Sequence, residues 1–219
     1  LYNYLIKKSI QKMDFSQNVS FLISLPIFLM AVVIHECAHG WVAYRCGDPT
    51  AKMLGRLTLN PFAHIDPLGT ILFPLLLIVL HSPFVFGWAR PVPVNFSNLR
   101  HYKRDMVIVG MAGPVSNILI AIIGAIIIRL MSIPAYTVGG LVLEFIVVIN
   151  LLLAVFNLVP VPPLDGSRVV SGLLPREYAE YYNKLEPFGI FILIGLLALG
   201  LIDKVILPIV SFLSSLLLG

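Results

Sequence analysis

Charge is what this chain has least of. Of its 219 residues only 12% are charged, against 58% hydrophobic, and the mean hydropathy is +0.95. A soluble domain carries about one quarter charged residues, so the composition indicates a multi-pass integral membrane protein in a lipid bilayer. At this length one domain, 1–219, is expected. Cysteine is scarce as well. Cys37 and Cys46 are the two present, and such a pair gives neither a disulfide framework nor a zinc-knuckle spacing. The net charge of +4 does not point to nucleic acid. The 15 Lys and Arg are scattered, and most flank apolar segments, where they set orientation. No internal repeat, long polar linker or cleavable-signal pattern is visible. The chain opens on Leu1, as expected of a fragment or a processed end. Either Met13 is the natural start and Leu1–Lys12 an upstream extension, or the start lies elsewhere.

A membrane-crossing helix needs about 20 apolar residues. Candidate segments lie near 19–44, 68–82, 105–131 and 139–159, with a last block near 187–218 split by Asp203 and Lys204. The predicted fold is all-α and polytopic, with five to six apolar helical segments. Segment 68–82 is short and carries Pro74. Two connections, 47–67 and 83–98, are rich in Pro, Gly and Asn. The second alternates around prolines, which suits a strand-like loop near 84–98. Irregular backbone at membrane depth is tolerated only where it is buried in protein or faces water, so both connections are candidate walls of a polar cavity.

Residues 28–44 read FLMAVVIHECAHGWVAY. His35, Glu36 and His39 stand in the middle of this apolar run, where ionisable groups are most costly and mark function by default. Their spacing is H-E-x-x-H. Residues four apart share a helix face, so His35 and His39 can present nitrogen to one Zn2+. Glu36 stands beside the metal and is free to take a proton from zinc-bound water. Cys37, turned about 200° from His35, reads as a small core residue. Zinc needs a third protein ligand, and Asp48, His64, Asp66, Glu144 and Asp165 are the residues to weigh. Asp165 follows an apolar segment in NLVPVPPLDGSRVV, 157–170. Pro162 and Pro163 stop the helix there and Gly166 permits a tight backbone. It reads either as a ligand from a stiff loop or as the N-cap of a helix over 166–174.

HECAHG, then GMAGPVSN, then NLVPVPPLDG resembles the site-2 protease family of intramembrane zinc metalloproteases. GDPTAKMLGRLTLNPFAHIDPLGT and FGWARPVPVN look like its compact bacterial branch, which lacks a PDZ domain. The likeness runs from about 25 to 170. It implies a catalytic core of about 19–174, followed by apolar C-terminal helices at 186–219, in a bacterial plasma membrane. It implies that His35, His39 and Asp165 hold one zinc per chain, that Glu36 is the general base, and that Asn157 holds the substrate backbone or the oxyanion. Asn150, one heptad before Asn157, is a further site residue or a helix-packing amide. His64 is a gating or a turn-stabilising histidine. The implied reaction is hydrolysis of a peptide bond in or near a transmembrane segment of a substrate protein, by Glu-assisted attack of zinc-bound water. The substrate helix must unwind locally. Arg90, Pro91, Val92, Pro93, Val94 and Asn95 could pair with it as an edge. An inactive zinc-binding scaffold is the alternative, and a metal transporter a more distant one. Neither the substrate's identity nor the oligomeric state is legible.

One consequence concerns topology. His35 and His39 lie toward the 45–67 side of their segment, whereas Asp165 follows the fourth segment. The three meet only if 68–82 is re-entrant or partial. Arg45, Lys52, Arg56, Arg90, Arg100, Lys103, Arg104, Arg168, Arg176 and Lys184 then share the inner side, in keeping with the positive-inside rule, which a full crossing of 68–82 with the N-terminus inside satisfies as well.

Overall fold

The computed structural model of the chain describes residues 17–80 and 90–219. Helix α1, Gln17–Cys46, has 30 residues. At 1.5 Å per residue it is about 45 Å long, more than a hydrocarbon core of about 30 Å. After α1 come a single turn, α2 (Thr50–Met53), and a tight turn, Pro61–His64. A wide turn over Pro67–Leu72 then leads into α3, Phe73–Val79. Residues 90–95 are extended but belong to no ladder, and among the described residues there is no strand. Prolines 91 and 93 lack the N–H a ladder needs. Residues 84–89 of the predicted strand-like loop lie outside the described residues.

The second half is built from α4 (Tyr102–Leu130), α5 (Val138–Asn157), α6 (Asp165–Leu173) and α7 (Arg176–Asn183). It ends with α8 (Gly189–Ala198), a wide turn over Ile202–Ile206, and α9 (Leu207–Leu218). Ile23–Cys46, α4 and α5 are each long and apolar enough to cross a membrane. The last apolar block bends by 68° between Arg176–Ala198 and Ile202–Leu218, a broken segment, as its split sequence suggests. At most 33% of any span's most apolar stretch is buried inside the protein. Leu119, Ile123 and Ile126 of α4 point outward, so lipid completes the packing.

Two apolar clusters hold the spans together. Ala121, Ala125, Val147, Leu151, Ile206 and Val210 join α4 and α5 to the C-terminal helices. Ala43, Leu99, Met106 and Val109 join α1 to the start of α4. Small residues at these seams let the backbones approach closely, as membrane helices require.

The topology question has a direct answer. The Arg100 N–H donates to the Cys46 carbonyl at 3.0 Å, so the chain leaves α1 and enters α4 at the same end. The 47–101 connection therefore makes no net crossing. Among the described residues its longest helical run has six residues of wide turn and seven of α3, about 20 Å, short of a hydrocarbon core of about 30 Å. After α4 and α5 have crossed and returned, α6 starts beside His35 and His39 and runs toward the end where α1 finishes, where Lys103 of α4 donates to the Leu174 carbonyl at 2.6 Å. Gly166 makes the return tight: a Cβ there would lie 2.6 Å from the Val159 carbonyl oxygen and closer still to that of Leu158.

Candidate metal centre

One face of α1 carries His35 and His39, one turn apart and both buried, at 5% and 8% exposure. Asp165 is the first residue of α6, so the predicted helix begins one residue earlier than expected. The three side chains meet. The His35 and His39 Nε2 atoms are 3.0 Å apart, and Asp165 Oδ2 is 3.0 Å from the first and 3.1 Å from the second. Among the described residues this is the group of His, Cys, Asp or Glu side chains able to hold a metal ion.

The donor chemistry fits zinc. His39 Nδ1 lies 2.7 Å from the Val109 carbonyl. A carbonyl only accepts, so Nδ1 carries the proton and Nε2 presents a lone pair. The Asp165 carboxyl, like any ordinary carboxyl, is ionised well below neutral pH and then offers lone pairs alone. It is therefore an acceptor at neutral pH. Acceptors packed at about 3 Å repel unless a cation or proton lies among them. Ligands on tetrahedral zinc, with bonds of about 2.0–2.1 Å, lie about 3.3 Å apart, close to the spacings here. Gly113 of α4 supplies the open side. A Cβ built there would press on the Nε2 atoms of both imidazoles.

Two neighbours hold His35 from behind. Its Nδ1 lies 2.6 Å from Asn117 Oδ1, and Asn117 Nδ2 donates to Asn150 Oδ1 at 2.7 Å. Both amides are buried. Asn150 thus stands behind the site and packs two helices at once. Asn117 was not among the predicted site residues, although it lies in the GMAGPVSN motif. An amide in mid-span is a signal of the same kind as the two histidines.

The other predicted residues fall into two groups. Glu36 Oε2 accepts the Val92 N–H at 2.8 Å, so the extended 90–95 segment lies over this carboxylate. That segment is pinned along its length. The Arg90 N–H donates to the His64 carbonyl at 2.8 Å, and Arg56 Nη2 donates to the Arg90 carbonyl at 3.0 Å. The Asn95 N–H donates to Asp48 Oδ2 at 2.7 Å. Pro91 is exposed, Val92 buried, and Pro93 and Val94 half-buried. His64 takes the turn-stabilising role, with Nε2 donating to the Thr58 carbonyl at 2.9 Å. Cys37 is half-buried and donates to the same carbonyl. Asp66 caps the 67–72 turn by accepting from the Leu68 and Gly69 N–H groups. Asn157 donates to the Leu153 carbonyl, 2.9 Å away on its own helix.

The chain is similar to known proteins over most of its length. A family model described as Peptidase family M50 matches residues 140–199, which include Asp165. The chain is 38% identical over 190 residues to "Putative zinc metalloprotease YwhC" of Bacillus subtilis, covering 84% of this chain and 83% of that protein. It is 30% identical over 181 residues to "Putative zinc metalloprotease Rip2" of Mycobacterium tuberculosis, covering 83% and 67%. The Rip2 of Mycolicibacterium smegmatis is 28% identical over 177 residues, covering 81% and 67%. No solved structure matches. Sequence motifs, helical spans and relatives agree, and the chain belongs to peptidase family M50, the site-2 proteases.

Proposed function

We propose that this protein is an intramembrane zinc endopeptidase that hydrolyses a peptide bond in or beside a transmembrane helix of a substrate protein. The observation that carries the reading is the convergence of His35, His39 and Asp165, three buried or half-buried side chains, on the second half of a helix long enough to cross a membrane. In this reading they hold one Zn2+. When bound, zinc supplies Lewis acidity to water and to the scissile carbonyl. Glu36 follows His35 directly in the chain. It takes the proton of the attacking water and returns it to the leaving amine.

The Val92 N–H at 2.8 Å holds the Glu36 carboxylate ready while the site is at rest. A substrate helix keeps its own backbone bonds until it reaches the site, where it must unwind. The extended 90–95 segment is the proposed edge along which the unwound strand lies. Asn157 is the proposed donor to the oxyanion, for which its amide must leave the Leu153 carbonyl. The proposed setting is a bacterial plasma membrane.

The test compares the full chain with its Glu36→Gln variant, purified in detergent and assayed on single-span peptides, with zinc measured in both. Zinc retained and cleavage lost supports the reading. Equal cleavage by both would remove Glu36 as the base. A wild type that holds zinc and cleaves nothing would favour a zinc-binding scaffold.

A further inference from the structure

We infer that Asn117 and Asn150 form a one-way hydrogen-bond relay that fixes the tautomer of His35, with its direction set by the Ile146 carbonyl on α5. This rests on the reading of His35 as a metal ligand. His39 needs no such device, because its Nδ1 meets a backbone carbonyl directly. The partner of His35 is a side-chain amide, which presents either an oxygen or an NH2 group. Something else must decide which end faces the imidazole.

The decision is made two residues away. Asn150 Nδ2 lies 2.8 Å from the Ile146 carbonyl, one turn earlier on the same helix. That oxygen can only accept, so the NH2 end of Asn150 faces it. Asn150 Oδ1 then points at Asn117 and requires a donor, and the Asn117 NH2 supplies it at 2.7 Å. The Ala31 carbonyl, 3.5 Å from the same nitrogen, demands the same orientation. Asn117 Oδ1 is left facing His35 Nδ1 at 2.6 Å. His35 therefore carries its proton on Nδ1 and offers a bare Nε2 to the centre.

Every other assignment places oxygens face to face. Flipping Asn117 alone sets its oxygen against Asn150 Oδ1 and the Ala31 carbonyl. Flipping both amides sets Asn150 Oδ1 against the Ile146 carbonyl. Asn117 is 0% exposed and Asn150 1%, so water cannot relieve these contacts. The relay links three spans: α1 through His35, α4 through Asn117, and α5 through Asn150. It makes Asn117 and Asn150 positioning residues, because they act on the metal through His35.

The test uses the full chain in detergent. Nitrogen NMR of the zinc-free wild type reads the His35 tautomer, and competition with a chromophoric chelator reads zinc affinity. The proton is expected on Nδ1. Asn117→Leu removes the acceptor and is expected to weaken zinc binding about 10–100-fold, the usual range for a lost partner of a ligating histidine. Asn117→Asp keeps an acceptor for His35 but turns an oxygen toward Asn150. It is expected to lose thermal stability while keeping zinc affinity within a few-fold of wild type. A purely structural amide would lose both together. Asn150→Leu leaves the Ala31 carbonyl, at 3.5 Å, to orient Asn117 and is expected to weaken zinc binding less than Asn117→Leu. A His35 Nδ1 without a proton in the wild type overturns the relay. So does zinc affinity unchanged in Asn117→Leu. If that variant does not fold, the wild-type spectrum and Asn117→Asp still decide. A wild type with the expected tautomer and no proteolysis refutes the proposed function and leaves the relay standing.

Discussion

The centre and the connection that covers it are built on opposite plans. The centre lies among three spans and the first turn of α6. Its polar atoms are buried, and each imidazole is held on both sides, by a neighbour at Nδ1 and by the other ligands at Nε2. The 47–101 connection has short turns, exposed Met53, Leu59 and Phe62, and an extended segment held by scattered backbone hydrogen bonds. The two regions touch where Val92 N–H meets Glu36. A metal site needs ligands fixed to within a fraction of an ångström, which packed helices provide. The proposed helical substrate would need an opening, which requires an element of low local stability. The division predicts that substitutions of the ligands and of the groups packed on them change zinc and activity together, whereas substitutions in the connection, or at Glu36 where the two regions touch, change activity and leave zinc in place.

The largest effect should come from the ligands. Asp165→Ala or His39→Ala leaves two protein ligands where zinc requires three. Both variants should purify without zinc and cleave nothing, as read by metal analysis and a peptide assay. Retention of stoichiometric zinc by Asp165→Ala would break the comparison at its base. Glu36→Gln comes next. It keeps the shape of the side chain and the contact with Val92, and removes the base. Cleavage should fall by about 10²–10⁴-fold, the usual worth of a general base, with zinc unchanged.

Gly113→Ala is a smaller probe of the centre. A methyl group there presses on both imidazoles. Overpacking of this kind costs about 1–3 kcal/mol. Zinc affinity should weaken about 10–100-fold, with activity lost in proportion and recovered by excess zinc. Unchanged affinity would mean that α4 is not packed against the imidazoles as described.

Much of the centre was legible because lipid makes polar residues conspicuous. His35, Glu36 and His39 stand out in an apolar run, and their spacing alone puts both imidazoles on one face. Asp165 was legible only as one of two readings, since an Asp-Gly turn would look the same; its meeting with the histidines is a long-range fact. Asn117 was missed because an amide can stand in a membrane helix for packing alone. The atom that holds His39 is the Val109 carbonyl, and backbone carries no sequence signal. The spans were read to within three residues at each end of α4 and α5. The 90–95 segment is extended, as its prolines suggest, and pairs in no ladder among the described residues. Its partners are side chains and turns, among them Asp48, which had been weighed as a metal ligand.

Asp48 is the mildest test and the one that isolates the connection. It is fully buried just beyond α1. It accepts from the Thr50 N–H at 3.1 Å and from the Thr50 hydroxyl, from Asn98 Nδ2 at 2.8 Å, and from the Asn95 N–H at 2.7 Å. It therefore clasps the far end of the segment whose near end covers Glu36. Asp48→Asn keeps the shape but turns one acceptor into a donor facing these groups. A mispaired buried polar group costs about 1–3 kcal/mol. Melting in detergent should shift down accordingly, and cleavage should change severalfold with zinc content unaltered. Burial pushes the Asp48 carboxyl up, but the hydrogen bonds from Thr50, Asn98 and Asn95 prevail and leave it below its ordinary value. A depressed folded value means that the clasp's stabilisation is complete above the unfolded carboxylate value of about 3.9 and is lost as pH falls through the folded one. The difference in melting temperature between wild type and Asp48→Asn should then be constant through neutral pH and shrink only in acid. A difference that vanished at pH 6 would place the clasp's strength in some other group, and loss of zinc from Asp48→Asn would show that the connection and the centre are one unit.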